Sequence, residues 1–232
     1  MRAVSRKMDL NRIAFIGRTF REYSKIFNLN RKILRSGGIL DCPAGASSFT
    51  AEAVNIGYDV TAADILYGIP ADKLIDKACK DTAYALEQFY KVRDGYDWSF
   101  YKTPELHATE RMKALVNFSK DFPAGFKNSR YVPARLPRLP FADDSFKLIL
   151  SSHFLFLYGD RLGFNFHMDC IREFTRVAPE VRIYPVMGLD GKEYPDMEKL
   201  VSALKSDGLK ARRLKVPFTF IPGGNFMLRV SR

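Results

Sequence analysis

Cysteine and histidine are scarce in this 232-residue chain, which has only three of each. Cys42, Cys79 and Cys170 are far apart in the sequence and form no C-x-x-C pair, so we expect neither a disulfide framework nor a zinc site. Isolated thiols of this kind favour the reducing cytoplasm. No apolar run approaches the ~18 residues that a membrane-spanning helix requires. These absences argue against a small secreted scaffold and against a membrane-spanning protein.

Acidic residues are scarce at the two ends of the chain. Residues 1–35 contain ten Lys and Arg against two acids, and residues 201–232 contain seven against one, within a total net charge of +11. Basic ends predict either an anionic partner, such as RNA, a phosphorylated metabolite or an acidic lipid surface, or simply solvated charge on exposed faces. Solvated charge is the favoured interpretation, because no recognisable RNA-binding module accompanies these residues.

The segment 37–64 carries the most information about function. A short apolar run ends at Asp41, a loop of small residues follows, and residues 49–56 have helical spacing. A second apolar run then ends at Asp64. This pattern predicts a strand, a tight loop, a helix and a second strand, with a carboxylate at the end of each strand. Doubly wound sheets use this arrangement to bind nucleoside-containing ligands, with the second carboxylate on the ribose.

The loop after Asp41 distinguishes between nucleoside ligands. A dinucleotide site places a pyrophosphate against a G-x-G-x-x-G turn. Here the equivalent turn keeps only Gly45, and the carboxylate of Asp41 would repel a phosphate. A ligand with an ammonium and a sulfonium group suits this loop, which predicts S-adenosylmethionine with its ribose at Asp64. The alternative is an ordinary strand–turn–helix without a ligand.

Two motifs resemble those of the class I S-adenosylmethionine-dependent methyltransferases. Residues 41–47, DCPAGAS, resemble the D-x-G-x-G-x-G loop, with Pro43 and Ser47 in place of the outer glycines. Residues 139–153, LPFADDSFKLILSSH, are similar to the LPF-x-D-x-SFD segment and following strand of the type 11 group, with Lys147 where that group has an acid. The resemblance covers most of residues 35–185 in order.

The resemblance implies the fold class. It implies an α/β, Rossmann-like, doubly wound sheet of seven strands, mostly parallel, with a C-terminal antiparallel hairpin. Residues 1–232 would then form a single methyltransferase domain. Within it, residues 1–35 are expected to form a basic N-terminal helical region.

The stretch between the second and third predicted strands is roughly twice as long as a plain crossover requires. Helical spacing predicts one helix over 71–92 and a second over 105–118, with Pro123 and its neighbours ending the second. We expect this helical insertion, 66–129, to form a cap beside the ligand cleft.

The resemblance also implies how the cofactor, S-adenosylmethionine, would bind. Asp41 and Gly45 would hold the methionine end, Asp64 and Ile65 the ribose, and Leu136 the adenine. The full expected set is Tyr23, Asp41, Cys42, Pro43, Ala44, Gly45, Ser47, Asp64, Ile65, Arg135, Leu136, Ser151 and Ser152.

In similar enzymes, residues of the N-terminal helix cover the methionine carboxylate. Tyr23 is the expected residue for that role, with Arg18 and Arg21 as alternatives.

His153 is the one candidate catalytic base, because it follows the fourth strand directly beneath the expected methyl group and a neutral imidazole can accept a proton near pH 7. The alternative is a histidine that is hydrogen-bonded for structural reasons. No metal site is predicted. The sequence thus predicts a methyltransferase acting on a small-molecule acceptor. The alternatives are an RNA methyltransferase that uses the basic termini, or an inactive cofactor-binding interaction subunit.

Overall fold

The structure is a computed structural model that describes residues 12–232 of the chain. The first part of the predicted basic region, residues 1–11, lies outside the described residues. Within residues 12–232, no helix combines the length and the apolar character needed to cross a bilayer.

Seven strands form a single sheet. They are β1 (Ile39–Asp41), β2 (Val60–Asp64), β3 (Tyr131–Pro133), β4 (Leu148–Ser152), β5 (Glu180–Tyr184), β6 (Lys210–Lys215) and β7 (Phe226–Ser231). Their order is β3-β2-β1-β4-β5-β7-β6. The first five strands are parallel, whereas β7 is antiparallel to both β5 and β6. The predicted doubly wound, seven-stranded sheet with a C-terminal antiparallel hairpin is confirmed.

Helices cover both faces of the sheet. They are α1 (Phe20–Ile26), α2 (Arg31–Leu34), α3 (Phe49–Asn55), α4 (Ala71–Lys91), α5 (Pro104–Lys127), α6 (Phe164–Val177) and α7 (Met197–Ser206). Successive side chains of a strand point to opposite faces. Accordingly Leu40 of β1 packs in the cluster that contains α6 and α7, while Ile39 packs with α1 and α3.

The centre of the sheet positions the functional site. From β1 the chain winds outward through β2 to β3, and it then returns to β4 on the other side of β1. The strand order therefore reverses between β1 and β4. In open α/β sheets, ligands bind in the crevice at such a reversal, outside the carboxyl ends of the strands.

The two helices of the insertion have different partners. Helix α5 contacts α3 and β3, and Phe118 and Phe122 of α5 pack against Tyr131 of β3. Helix α4 contacts α5 and the turn after β2 rather than a strand. The predicted end of the second helix near Pro123 is wrong, because α5 continues through Pro123 to Lys127. Packing of its aromatic face on Tyr131 holds the last turn against the sheet despite the proline.

The two edges of the sheet have distinct sequences. The edge strand β3 is only three residues long and ends in Pro133. The opposite edge strand, β6, reads KARRLK, and its four basic residues are exposed. A long connection between β3 and β4, residues 134–147, contains no helix and brings its first residues back to the ligand crevice.

Candidate functional site

One continuous cavity of about 710 Å³ lies at the carboxyl ends of β1, β2 and β4. Its volume falls within the range of about 300–1,000 Å³ that is typical of small-molecule sites. One end is lined by the loop after β1 and by Asp64, Ile65 and Leu136. The other end is lined mainly by aromatic side chains from five parts of the chain. The two ends meet at Arg18 and His153.

The loop after β1 is fixed by Asp64. One carboxylate oxygen of Asp64 accepts from the backbone N–H of Gly45 at 3.0 Å, and the other accepts from that of Leu66 at 2.9 Å. Gly45 has a φ of +58°, which favours glycine, and a Cβ there would lie 2.7 Å from the carbonyl oxygen of Ile16. Because each carboxylate oxygen has a second lone pair, Asp64 can still accept from a ligand in the cavity.

The segment 13–18 crosses this loop and lines the cavity along its length. The backbone carbonyl of Arg18 accepts from the Ser47 hydroxyl at 3.0 Å and from the Ser48 N–H at 3.1 Å. The N–H of Phe15 donates to Asp81 of α4 at 2.8 Å. The segment is thus bonded both to the loop and to the helical insertion.

Gly17 makes the close approach of segment 13–18 to the loop possible. A Cβ at Gly17 would lie 1.8 Å from the carbonyl oxygen of Ala46. We expect Gly17→Ala to destabilise the protein by roughly 1–3 kcal/mol or more, because the clash is with backbone. Gly68→Ala is the matched control, since its Cβ would meet Pro133 at an ordinary 3.7 Å. Urea unfolding with equal midpoints for the two variants would contradict this close packing.

Asp41 lies beneath the cavity and is fully buried. Its Oδ1 accepts from the hydroxyl of Tyr23 at 2.9 Å, while its Oδ2 has no partner among residues 12–232. Burial raises the pKa of Asp41 well above its usual value, and the charge of Asp64 adds to the increase. The ring of Tyr23, stacked on Phe49 at 4.5 Å, lines the cavity. This unpaired buried acceptor fits a ligand that carries a cationic group.

His153 is oriented by Arg18. The Arg18 Nε–H donates to Nδ1 of His153 at 3.0 Å, and the hydroxyl of Ser152 lies 2.8 Å from the same nitrogen. Since an arginine Nε–H can only donate, Nδ1 is the acceptor and the ring proton is on Nε2. Burial lowers the pKa of His153 well below 6.5, and the positive charges of Arg18 and Arg111 lower it further. His153 therefore lines the cavity as a neutral imidazole, and its role as a base stays a prediction.

Arg18 belongs to a buried charge network that also contains Glu22, Tyr101 and Arg111. The Glu22 carboxylate accepts from Arg18 Nη1 at 3.2 Å and from the backbone N–H of Thr19 at 2.7 Å. It also accepts from Tyr101 and from Arg111 of α5. Burial by itself raises the pKa of Glu22, but Arg111 and Arg18 outweigh it and lower that pKa to about 2. Two guanidinium groups share one carboxylate, which leaves a net positive charge beside the cavity.

Six rings define what we call the aromatic chamber, the end of the cavity away from Asp64. They are Phe89, Tyr96, Phe154, Tyr158, Tyr184 and Phe220. Tyr96 stacks on Phe220 with a centroid distance of 4.4 Å, and His153 meets Tyr184 edge-on at 5.1 Å. The rings come from five parts of the chain: α4, the turn after α4, the connection between β6 and β7, and the ends of β4 and β5.

Most of the predicted site residues line this cavity. They are Tyr23, Pro43, Ala44, Gly45, Asp64, Ile65, Arg135, Leu136, Ser152 and His153. Four do not reach it and are buried instead, namely Asp41, Cys42, Ser47 and Ser151.

Two of these four face the wrong side of the sheet for a ligand contact. Cys42 packs with the α6 cluster, and burial raises the pKa of its thiol. Ser151 alternates with Ser152 along β4, so its hydroxyl points to the opposite face.

The two arginines proposed as alternatives to Tyr23 have different positions. Arg18 lines the cavity. Arg21 does not, because its guanidinium lies over the ring of Phe100 at 4.4 Å and pairs with Glu110. Arg21 is therefore wrong as a ligand for the carboxylate. Tyr23 is a poor one as well, since its hydroxyl proton is donated to Asp41.

Sequence reasoning missed Glu22 and Arg111, which are separated by 89 positions and carry no motif. It also missed Phe220 as a cavity residue, although the following Pro222, Gly223 and Gly224 signalled a loop near the carboxyl end of the sheet. Among residues 12–232, no group of three or more His, Cys, Asp or Glu side chains is placed to hold a metal ion.

The chain is similar to a curated protein and to several solved structures. No family model matches it. An uncharacterized protein of Methanocaldococcus jannaschii, MJ0045, is 32% identical over 228 residues, which is 98% of this chain and all of that protein.

Solved structures of S-adenosylmethionine-dependent methyltransferases are similar at low identity. A TehB-like enzyme of Corynebacterium glutamicum is 16% identical, with 90% of this chain and 86% of that chain covered and a TM-score of 0.47. A putative methyltransferase of Methanococcus maripaludis is 14% identical, with 92% and 86% covered and a TM-score of 0.45. A Burkholderia thailandensis N1-methyltransferase with bound S-adenosylhomocysteine is 12% identical, with 90% and 76% covered and a TM-score of 0.45.

Proposed function

We propose that this chain, which belongs to the same protein family as MJ0045 of Methanocaldococcus jannaschii, is an enzyme. The proposed enzyme is a class I S-adenosylmethionine-dependent methyltransferase that acts on a small molecule. The observation that carries the proposal is the single cavity at the β1–β4 crevice. It joins a loop held by the strand-end carboxylate of Asp64 to an enclosed aromatic chamber. The isolated cysteines support a cytoplasmic location.

The residues at the loop end of the cavity suit the parts of S-adenosylmethionine. Asp64 would accept from the ribose hydroxyls, and Ile65 and Leu136 would contact the adenine. Tyr23, backed by the unpaired Asp41, suits the ammonium group. Arg18 would bind the methionine carboxylate through Nη2, which has no partner among residues 12–232. When bound, the cofactor supplies an electrophilic methyl group on a sulfonium sulfur.

The chain would contribute positioning rather than acid–base chemistry. Holding two reacting atoms about 3–3.5 Å apart in line removes much of the entropic barrier. Segment 13–18 and the aromatic chamber would shield the reacting atoms, and His153 would orient the acceptor. No residue has to act as a base unless the acceptor must first lose a proton.

Calorimetry and a labelled donor test this proposal together. We expect S-adenosylmethionine and S-adenosylhomocysteine to bind with micromolar or better affinity, and NAD not to bind. Methyl label from the donor should enter the small-molecule pool of a fractionated extract rather than its RNA or protein pools. Absence of binding by both sulfur ligands would refute the proposal. Binding without transfer to any pool would instead support an inactive cofactor-binding subunit.

We propose that α4 and the turn after it form the cap within the insertion 66–129. Lys77 and Phe89 of α4 line the cavity, whereas α5 packs on the sheet. Lids come from the less stable parts of a fold, so limited proteolysis near Asp94 and Gly95 should slow when S-adenosylhomocysteine is bound. Cleavage at the same rate with and without the ligand would indicate a rigid structural addition.

RNA methylation is the second candidate, favoured by an arginine row on the sheet. Arg182, Arg229 and Arg212 are neighbours across β5, β7 and β6. Arg182 is buried and donates to the carbonyl of Phe27, so only Arg229 and Arg212 of the three are exposed. Glu180 pairs with Arg182 and Arg229 at 2.7 and 2.6 Å. No side-chain partner of Arg212 occurs among residues 12–232.

Salt dependence distinguishes RNA binding from solvated charge. For single-stranded RNA, the log–log slope of affinity against salt is near −0.7 per contacted phosphate. If Arg31, Lys32 and Arg35 contact RNA, replacing all three with Gln should flatten that slope by up to about two units. We expect instead that RNA binds only at low salt and that the triple variant methylates normally. A tight RNA complex at physiological salt, with label recovered in RNA, would overturn the small-molecule proposal.

A further inference from the structure

The aromatic chamber indicates which class of small molecule the protein would methylate. We propose that the methyl acceptor is a planar aromatic compound with an ionised oxygen, a carboxylate or an acidic hydroxyl, and that this oxygen accepts from Nε2–H of His153. This inference rests on the proposed methyltransferase function and concerns the aromatic chamber of the same cavity.

The hydrogen bonds of His153 determine what it can offer a substrate. Its Nδ1 lone pair is used by the Nε–H of Arg18 at 3.0 Å, so the ring proton is on Nε2. Nε2 has no partner among residues 12–232, and the ring lines the cavity. The positive charge of Arg18 polarises the imidazole and strengthens this N–H as a donor. An anionic oxygen is the best acceptor for such a donor.

The rest of the cavity, as far as residues 12–232 line it, offers no carboxylate placed to remove a proton from a neutral acceptor. Its lining in the described chain includes only two carboxylates, Asp64 and Asp190. Asp64 lies at the cofactor end and accepts from two backbone N–H groups. Asp190 is exposed at the rim, where it accepts from the N–H of Lys192. An acceptor that is already ionised at neutral pH requires no base.

The walls of the chamber select the shape of the acceptor. Tyr96 and Phe220 form a stacked pair at 4.4 Å, and Phe89 tilts against Phe220 at 5.4 Å. Tyr184 closes the opposite wall, with its hydroxyl directed away to the carbonyl of Gly224 at 2.7 Å. Aromatic faces and edges of this kind pack best on another planar ring. The shared volume of about 710 Å³ also limits the acceptor to a small compound.

Methyl transfer to an ionised oxygen requires no proton transfer. A lone pair of the acceptor oxygen forms a bond to the methyl carbon, and the electron pair of the breaking carbon–sulfur bond returns to sulfur. The anionic acceptor becomes a neutral methyl ester or ether, and the sulfonium becomes a neutral thioether. The Nε2–H of His153 holds the oxygen in line and stays protonated throughout.

Binding of matched probes to the protein saturated with S-adenosylhomocysteine tests this inference. The probes are 2-naphthoate, the neutral 2-naphthamide of the same shape, and a saturated decalin carboxylate of the same charge. We expect calorimetry to show 2-naphthoate binding about tenfold or more tighter than either of the others. Equal or tighter binding of the amide or of the saturated acid would overturn the inference.

His153→Asn supplies the matched variant. Asn tolerates the backbone φ of +53° found at His153, but its shorter side chain does not reach into the chamber. The ratio of the affinities for 2-naphthoate and 2-naphthamide should fall to nearly one in this variant, while S-adenosylhomocysteine still binds. An unchanged preference would show that His153 does not recognise the anion.

The outcomes separate the two proposals. If S-adenosylhomocysteine binds but no planar acid does, the substrate class is wrong and the methyltransferase function stands. If S-adenosylhomocysteine itself does not bind, both proposals fail.

Discussion

Asp64→Ala should weaken binding of S-adenosylhomocysteine by roughly 10- to 100-fold. The carboxylate would make charge-assisted hydrogen bonds to the ribose, which are worth about 1.5–3 kcal/mol. The same side chain holds the N–H groups of Gly45 and Leu66, so its removal also loosens the loop that surrounds the ligand. Titration calorimetry of the wild type and the variant measures the loss directly.

An exposed aspartate provides the control for charge. Asp76→Ala removes the same charge from α4, where Asp76 pairs with the exposed Lys80 at 2.7 Å. This variant should bind S-adenosylhomocysteine with an affinity within about twofold of the wild type, because exposed ion pairs contribute little. Equal affinities for the Asp64 variant and the wild type, with both folded by circular dichroism, would rule out the ribose assignment.

Asp41→Asn should raise stability and lower affinity at the same time. The wild-type carboxylate is fully buried with one oxygen unpaired, an arrangement that costs free energy of folding. An amide of the same shape removes the buried charge, and we expect a gain of about 1–2 kcal/mol, or several degrees in Tm. Binding should weaken, because the buried negative charge that lies behind Tyr23, near the proposed ammonium position, is lost. Stability and function would thus oppose each other at one residue.

The pH dependence gives a second check on Asp41. Its pKa in the folded protein is raised above the usual value of 3.8, so the folded state binds the proton more tightly than the unfolded state. The free energy of unfolding of the wild type therefore decreases progressively as pH rises above 3.8 toward the folded-state pKa. The Tm advantage of Asp41→Asn should be small near pH 4 and larger at pH 7. A Tm difference between Asp41→Asn and the wild type that stays constant from pH 4 to pH 7 would contradict the burial argument.

The sequence predicted the sheet well because its signals are local. The apolar runs that end at Asp41 and Asp64 are strands whose length and direction follow from a few adjacent residues. The loop contacts around Gly45 likewise follow from a local motif. Local patterns failed at Pro123, where packing of the α5 aromatic residues on β3 outweighs the proline's own tendency to end a helix.

The parts of the site that the sequence could not predict depend on distant residues. Arg18 and His153 are 135 positions apart, and only their contact assigns the imidazole proton to Nε2. His153 alone therefore suggested a base. The aromatic chamber likewise combines α4 with the β6–β7 connection, and aromatic residues in such segments more often form core. Motifs located the end of the cavity near Asp64, and tertiary contacts define the aromatic chamber at the other end.

The two edges of the sheet bear on how copies of this protein can meet. The edge strand β3 is short and ends in Pro133, so it offers few backbone donors to a neighbouring chain. At the other edge, Lys210, Arg212, Arg213 and Lys215 would face the same four cations of a second copy. Exposed basic residues on an edge strand oppose edge-to-edge pairing and the fibrous aggregation that follows from it. A continuous sheet across two copies is therefore disfavoured at both ends, and any self-association would have to use helical surfaces.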